Sequence, residues 1–368
     1  MKNNYFPLET YYDENFADGV IDISCSGIEP YSFYELQSLI GSELVSDIYS
    51  PIEYAESFGV HALRSQLAEK YNVCESCVLI TNGASESITI ALMATSNNGG
   101  NVIVGMPFYN PLKMLLKTIG LRPQYINTYE NYVFTYSNIM NAINKNTCAI
   151  LLNNPNNPIG AIIDKKILSL LINKLNETGA KIIVDEVGLW LTYRNKNYNS
   201  IIALDGNMIA IGSLSKAFGV PGIRIGWLIT TDMDIMSKAI EIKRTLSCST
   251  SIFAQSIASK ILYDSENILM HHNNIISKNI VALKKYLSTS EFIRCSLPSA
   301  GATCFPTFKH DINAKKLAHK MLSSHNYLMV PGEILGIDNG FRLGLGFRNT
   351  DLIKFFNAIE YEIKTFAS

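Results

Sequence analysis

The chain has 368 residues, 47% of them hydrophobic and 17% charged, with a formal net charge of −1. That much apolar material excludes a disordered chain and exceeds what one simple core needs, so two domains are expected. The near-zero charge supplies no field for nucleic acid or an anionic membrane, which leaves a small molecule as the expected partner. The opening Met1-Lys2-Asn3-Asn4 lacks the apolar core of a signal peptide, and no later run is long enough to cross a bilayer. Seven scattered cysteines, an odd number, suit a reducing compartment, so a cytoplasmic protein is expected. Cys74 and Cys77 have CxxC spacing and read as ordinary thiols near a strand start; His271-His272 reads as helix surface or turn. No metal is assigned.

In chain order, four short apolar runs predict buried strands: Val102-Ile103-Val104, Ala149 to Leu152, Lys181 to Val184 and Met208 to Ile211. Between the second and third, Ile167, Leu168, Leu171, Ile172 and Leu175 follow the helical period over Lys165 to Asn176, and Gly179 stops it. Strand–helix–strand repetition predicts a mostly parallel sheet covered on both faces, with seven strands in the fold proposed below. After about residue 255 a long helical stretch leads to hairpin strands over Cys295 to Phe308. A helix near Ala314 to Ser323, a strand near Phe341 to Leu345 and a terminal helix follow. The expected organisation is an arm at 1–45 belonging with a small α+β domain, a large α/β domain at 46–255, and the rest of the small domain at 256–368.

The most informative segment is Ser213-Leu214-Ser215-Lys216, followed by Gly219, Gly222, Arg224 and Gly226. A lysine just past a buried strand can condense with an aldehyde. Serine hydroxyls and a guanidinium can hold a phosphate, and glycines permit close backbone approach. Thr81-Asn82-Gly83-Ala84-Ser85-Glu86 opens a helix whose N–H groups and dipole suit a phosphate. Asn153 to Gly160 carries a doubled Asn-Pro turn, and Val184-Asp185-Glu186 ends a strand with a carboxylate.

Together these motifs resemble the class I/II aminotransferase superfamily, pyridoxal 5′-phosphate (PLP) enzymes of fold type I. The resemblance implies that Lys216 carries PLP as a Schiff base. Gly83, Ala84, Ser85, Ser213, Ser215 and Arg224 would then cradle its phosphate. Asn157 would hydrogen-bond its phenolic oxygen, and Asp185 would keep its pyridine nitrogen protonated so that the ring stores electrons. Tyr109 either stacks on the ring or packs in the core. Tyr49 matches the tyrosine that reaches the neighbouring subunit's phosphate, which implies a homodimer with shared sites. Arg342 matches the clamp for a substrate α-carboxylate, with Arg348 as its rival. One departure stands out: many family members carry a tyrosine donor a few residues after Asp-Glu, where this chain has Val187-Gly188.

The fold hosts many reactions. Pro7-Leu8-Glu9, Asp22 to Gly27, Tyr31 to Leu36 and Pro298 to Pro306 resemble hydroxyarginine cyclases of the capreomycidine- and enduracididine-forming type. That likeness implies α-deprotonation, loss of the side-chain hydroxyl as water and ring closure by the guanidine. A guanidinium needs carboxylates, for which Glu9 and Glu29 are the candidates, with Ser24 and Ser26 near the hydroxyl or carboxylate. For Glu29 a solvated loop, and for the serines ordinary turns, are the plainer readings. The alternatives are an ordinary aminotransferase of the histidinol-phosphate or aromatic type, and a PLP-binding regulator.

Overall fold

The structure, a computed structural model, describes residues 7–41, 44, 51, 53–96, 99–108, 112–130, 133–193, 200–203 and 208–367. Its centre is a seven-stranded sheet. In space the strands run Val78–Thr81, Gly226–Ile229, Met208–Ser213, Lys181–Asp185, Thr147–Asn153, Asn101–Met106 and Arg122–Asn127. Every pair is parallel except those made by Gly226–Ile229, which runs antiparallel to both neighbours.

Strand side chains alternate between the two faces. Ile182 and Val184 enter one apolar core with Ile150, Ala210 and Trp227; Ile183 enters the other with Val104, Ile209, Ile211 and Leu228. Burial on both faces is why these strands read as continuous apolar runs. Helix Ala84–Thr95 packs across strands Gly226–Ile229, Met208–Ser213 and Lys181–Asp185, and against helix Met233–Ser247. Helix Lys165–Asn176 covers the opposite core with Leu168, Leu171, Ile172 and Leu175, and Asp164 caps its start by accepting from the Lys166 N–H.

The remainder is a mixed region. Phe341–Gly344 pairs antiparallel with Thr303–Cys304 and Val330–Pro331, and Ile293–Arg294 pairs with Thr307–Phe308. The expected hairpin over 295–308 is therefore split between two small sheets. Helices Ser265–Leu287, Ala314–His325 and Leu352–Ala367 pack around them. Ile21–Asp22 lies parallel to Tyr327–Leu328, which brings the early chain beside the late one. Among the described residues, no helix is long and apolar enough to cross a membrane.

Candidate active site

The carboxyl ends of the parallel strands open into a cavity of about 490 Å³. Asp185 ends Lys181–Asp185 and Ser213 ends Met208–Ser213, two adjacent strands, so the sheet itself sets their spacing. Crevices at such strand ends are where open α/β sheets hold ligands. Ala84, Ser85, Asn157, Asp185, Ser213, Ser215, Lys216 and Arg224 all line this cavity. Sequence motifs more than 130 residues apart (Ala84 and Lys216) meet there because strand Gly226–Ile229 lies between Val78–Thr81 and Met208–Ser213.

The loop chemistry follows from local backbone. Gly83, with φ +85°, starts helix Ala84–Thr95 and supplies no side-chain cap. A Cβ at Gly83 would lie 2.3 Å from Arg224 Nη2, so only glycine lets that guanidinium lie against the turn. The Ser213 hydroxyl accepts from the Ser215 N–H and donates to the Ser215 Oγ, fixing both hydroxyls at the cavity edge. Asn157 leaves its buried Oδ1 without a partner among the described residues.

Burial pushes Asp185 up to about 6, although the Val187 N–H and Lys216 both favour its ionised form. Among the described residues no ion pair reaches its carboxylate. Burial also lowers the Lys216 ammonium, with Cys25 opposing and Arg342 reinforcing the shift. A lysine easily made neutral is a competent nucleophile and base. The set suits PLP: uncapped helix N–H groups, hydroxyls and a guanidinium for phosphate, an amine for the aldehyde, and a buried acid short of a cation for the pyridine nitrogen.

The facing wall comes from elsewhere. Helix Pro7–Asn15 contributes Leu8, Glu9 and Tyr12, and the following segment contributes Asp22, Cys25 and Ser26. Tyr12 donates to Asp22 Oδ2 at 3.1 Å and accepts from Arg342 Nη2 at 3.0 Å. Arg342 is 3% exposed, and its buried Nε has no partner among the described residues. Burial raises Asp22 above the usual carboxylate range even though Arg342 pulls it down. Gly27 crosses so close to the lysine that a Cβ there would sit 2.8 Å from Lys216 Cα, and the next residue's N–H donates to the Lys216 carbonyl at 2.9 Å.

Three expectations need correction. Ser24 is fully buried outside the cavity: its hydroxyl donates to the Arg342 carbonyl and accepts from the Val330 N–H, tying strands together. Glu29 also stays outside the cavity lining, because its carboxylate accepts from the Arg348 and Asn349 N–H groups. His272 is no surface residue. It is buried between the Ala217 carbonyl and the Tyr31 hydroxyl, each 2.8 Å away, and burial lowers it to about 4. Arg348 is engaged with Glu35, Glu29, Pro30 and the Tyr31 ring, away from the cavity lining. Tyr49 and Tyr109 lie outside the described residues. Sequence reasoning singled out neither Asp22 nor Tyr12 as a site residue. For Asp22 the signal was an acid in a segment already matched as unusual, whereas Tyr12 lies outside the matched segments.

The family model for aminotransferase class I and II matches residues 47–359. The chain belongs to the class I and II aminotransferase family. This aminotransferase-fold chain is accordingly a PLP-dependent enzyme. Capreomycidine synthase of Streptomyces vinaceus is 26% identical to it over 367 residues, 98% of this chain and 94% of that enzyme. The crystal structure of the PLP-dependent cyclase OrfR matches with a TM-score of 0.89 at 22% identity, covering 99% of this chain and 98% of that one. A PLP-dependent aminotransferase from Streptococcus suis 89-1591 matches with a TM-score of 0.91 at 25% identity, covering 100% and 99%. Fold type I is thus shared by proteins described as cyclase and as aminotransferase, and overall shape does not select the reaction.

Proposed function

We propose that this enzyme is a cyclodehydratase that converts a hydroxylated L-arginine to a cyclic guanidino amino acid, with the α-amine retained. The observation that carries the reading is the charge inventory of the cavity. Among the described residues its cations are Lys216, Arg224 and Arg342, and its acids are Glu9, Asp22 and Asp185. With Arg224 and the 83–85 turn on phosphate, Asp185 on the pyridine nitrogen, Lys216 on the aldehyde and Arg342 on the α-carboxylate, two acids remain. Glu9 and Asp22 would repel an acidic side chain and attract a guanidinium. Asp22 is raised by burial, so an incoming cation relieves it. The capreomycidine synthase relative, matched over nearly the whole chain, supports the same reading.

When bound, PLP supplies an aldehyde for amines and a protonated ring that stores electrons. Arg342 orients the substrate through its α-carboxylate, with Tyr12 fixing one guanidinium nitrogen. The neutral Lys216 amine takes the α-proton. Glu9 and Asp22 hold the guanidinium so that one nitrogen faces the carbon that bore the hydroxyl, and Ser26 lies on the same wall. Overall one C–O bond breaks, one C–N bond forms, a guanidinium proton and the hydroxyl leave as water, and the α-proton is restored. The absence of a side chain at Gly188 fits a ring tuned away from simple amino transfer. A Cβ there would make only ordinary contacts, at 3.6 Å from Gly301 and 3.8 Å from Pro155. The reading includes a cytoplasmic homodimer in which Tyr49 reaches the other subunit's phosphate, an N-terminal arm at 1–45, and domains at 46–255 and 256–368.

The test uses hydroxyarginine with a ¹⁵N-labelled α-amine in the presence of 2-oxoglutarate. A product lighter by one water that retains the label is expected. Label passing to glutamate with no dehydrated product would mean an ordinary aminotransferase.

A further inference from the structure

The buried charge cluster behind the 82–86 turn is used by none of the steps above. Lys243, on helix Met233–Ser247, has a fully buried side chain. Its ammonium donates to Glu86 Oε2 at 2.8 Å, Ser247 Oγ at 2.8 Å and Thr250 Oγ1 at 3.0 Å, which occupies all three of its donors. Glu86 in turn accepts from the Asn82 N–H at 2.6 Å and from the Ser247 hydroxyl at 2.6 Å. Burial works against the Glu86 charge, but hydrogen bonds from Lys243, Ser247 and Asn82 outweigh it and hold the carboxyl below its ordinary range.

The location gives the cluster its meaning. Asn82 precedes Gly83, the left-handed residue that turns the chain into helix Ala84–Thr95, and Glu86 lies in the first turn of that helix. A carboxylate there favours the helix dipole but opposes a phosphate dianion bound to the same N–H groups. The same carboxylate pins the Asn82 N–H and so fixes where the turn points. Neutralising it from behind keeps the pin and removes the repulsion.

We propose that Lys243 is a positioning residue for the cofactor phosphate: it cancels the charge of Glu86 and lets that carboxylate hold the 82–85 turn in its anion-binding form. The inference rests on the phosphate placement given under Proposed function and is independent of which reaction the enzyme performs.

The experiment measures binding of PLP and of pyridoxal, which lacks the phosphate, to the apoprotein by visible absorbance, with circular dichroism reporting the fold. Lys243→Met is expected to weaken PLP by about 10-fold or more while pyridoxal changes by less than about 3-fold, the scale of a lost charge-assisted hydrogen bond. Glu86→Gln combined with Lys243→Met keeps an acceptor for Asn82 and removes both charges, and it should recover PLP binding to within about 3-fold of wild type. Glu86→Gln alone, which serves if Lys243→Met does not fold, should bind PLP at least as tightly as wild type. Equal losses for both ligands, unchanged PLP binding in Lys243→Met, a double variant no better than the single, or weakened PLP binding in Glu86→Gln would each overturn the proposal. Arg224→Ala is the placement control. If it leaves the preference for PLP over pyridoxal intact, the phosphate placement is wrong. If it removes the preference and Lys243→Met does not, only the role of Lys243 is wrong.

Discussion

On one wall of the cavity, Asp185 and Ser213 stand at the ends of hydrogen-bonded parallel strands, and Lys216 follows within one turn. On the facing wall, Glu9, Tyr12, Asp22 and Arg342 come from a nine-residue helix, a two-residue strand and a four-residue strand. The first wall is positioned by a ladder of backbone bonds with apolar cores on both sides. The second sits on short strand pairs outside that ladder and is joined across by side-chain links such as Arg342 to Tyr12 to Asp22. A rigid wall suits chemistry that every substrate shares. A wall on short strands and a helix outside the ladder can be exchanged with little cost to the sheet, and that is where substrate choice belongs.

Perturbing each wall should therefore give a different signature. The largest effect is expected at Lys216: Lys216→Ala should lower turnover by about 10⁴-fold or more, the scale of a lost general base and nucleophile. Borohydride reduction of the wild-type holoenzyme followed by peptide mapping should place the cofactor on this residue; its recovery on another lysine would move the site. Next comes Asp185→Asn, expected to slow α-proton exchange by about 100-fold or more, since ~1.4 kcal/mol of lost stabilisation is a factor of ten. The apoprotein should respond to the same change with the opposite sign. Burial raises Asp185 from 3.8 to about 6, so its protonated form fits the fold better than its ionised form. Its favourable contribution is full below pH 3.8 and is lost as pH climbs through about 6. Asp185→Asn should thus raise the apo melting temperature at pH 8 and leave it nearly unchanged at pH 4. Smallest is the facing wall: Glu9→Gln or Asp22→Asn should weaken hydroxyarginine turnover by about 2 kcal/mol, roughly 30-fold. The visible spectrum of the bound cofactor should stay as in wild type. A spectral change as large as that of Asp185→Asn would erase the distinction between the walls.

The same division decides what the sequence made legible. Lys216, Asp185 and Asn157 end or closely follow apolar strands, so local pattern alone puts them at strand ends, and the structure brings them into one cavity. Asp22 and Tyr12 escaped notice because their partner Arg342 is 330 residues from Tyr12, and no local period records such a contact. Ser24 and Glu29 misled for a related reason. Serine and glutamate also satisfy backbone N–H groups, and which task they perform depends on what the fold brings near. In the doublet His271-His272, neighbours on a helix point about 100° apart, so one ring is exposed while the next is buried.

The bond from the Ile28 N–H to the Lys216 carbonyl, together with that from the Gly344 N–H to the Ile23 carbonyl, has a consequence for how the molecule is made. During synthesis the segment around residues 21–31 emerges long before its partners at 216, 328 and 344. Its polar backbone and the apolar side of helix Pro7–Asn15 must wait in water or on a chaperone until nearly the whole chain is out. Contacts of such sequence separation form late, because the loop they close is long. Most strand pairs of the sheet, though not Val78–Thr81 with Gly226–Ile229, join segments close in sequence, whereas the wall carrying Asp22 and Arg342 needs both ends of the chain. A cell short of folding assistance would then accumulate a species with an ordered sheet and an open mouth, able to take up cofactor before it can recognise substrate.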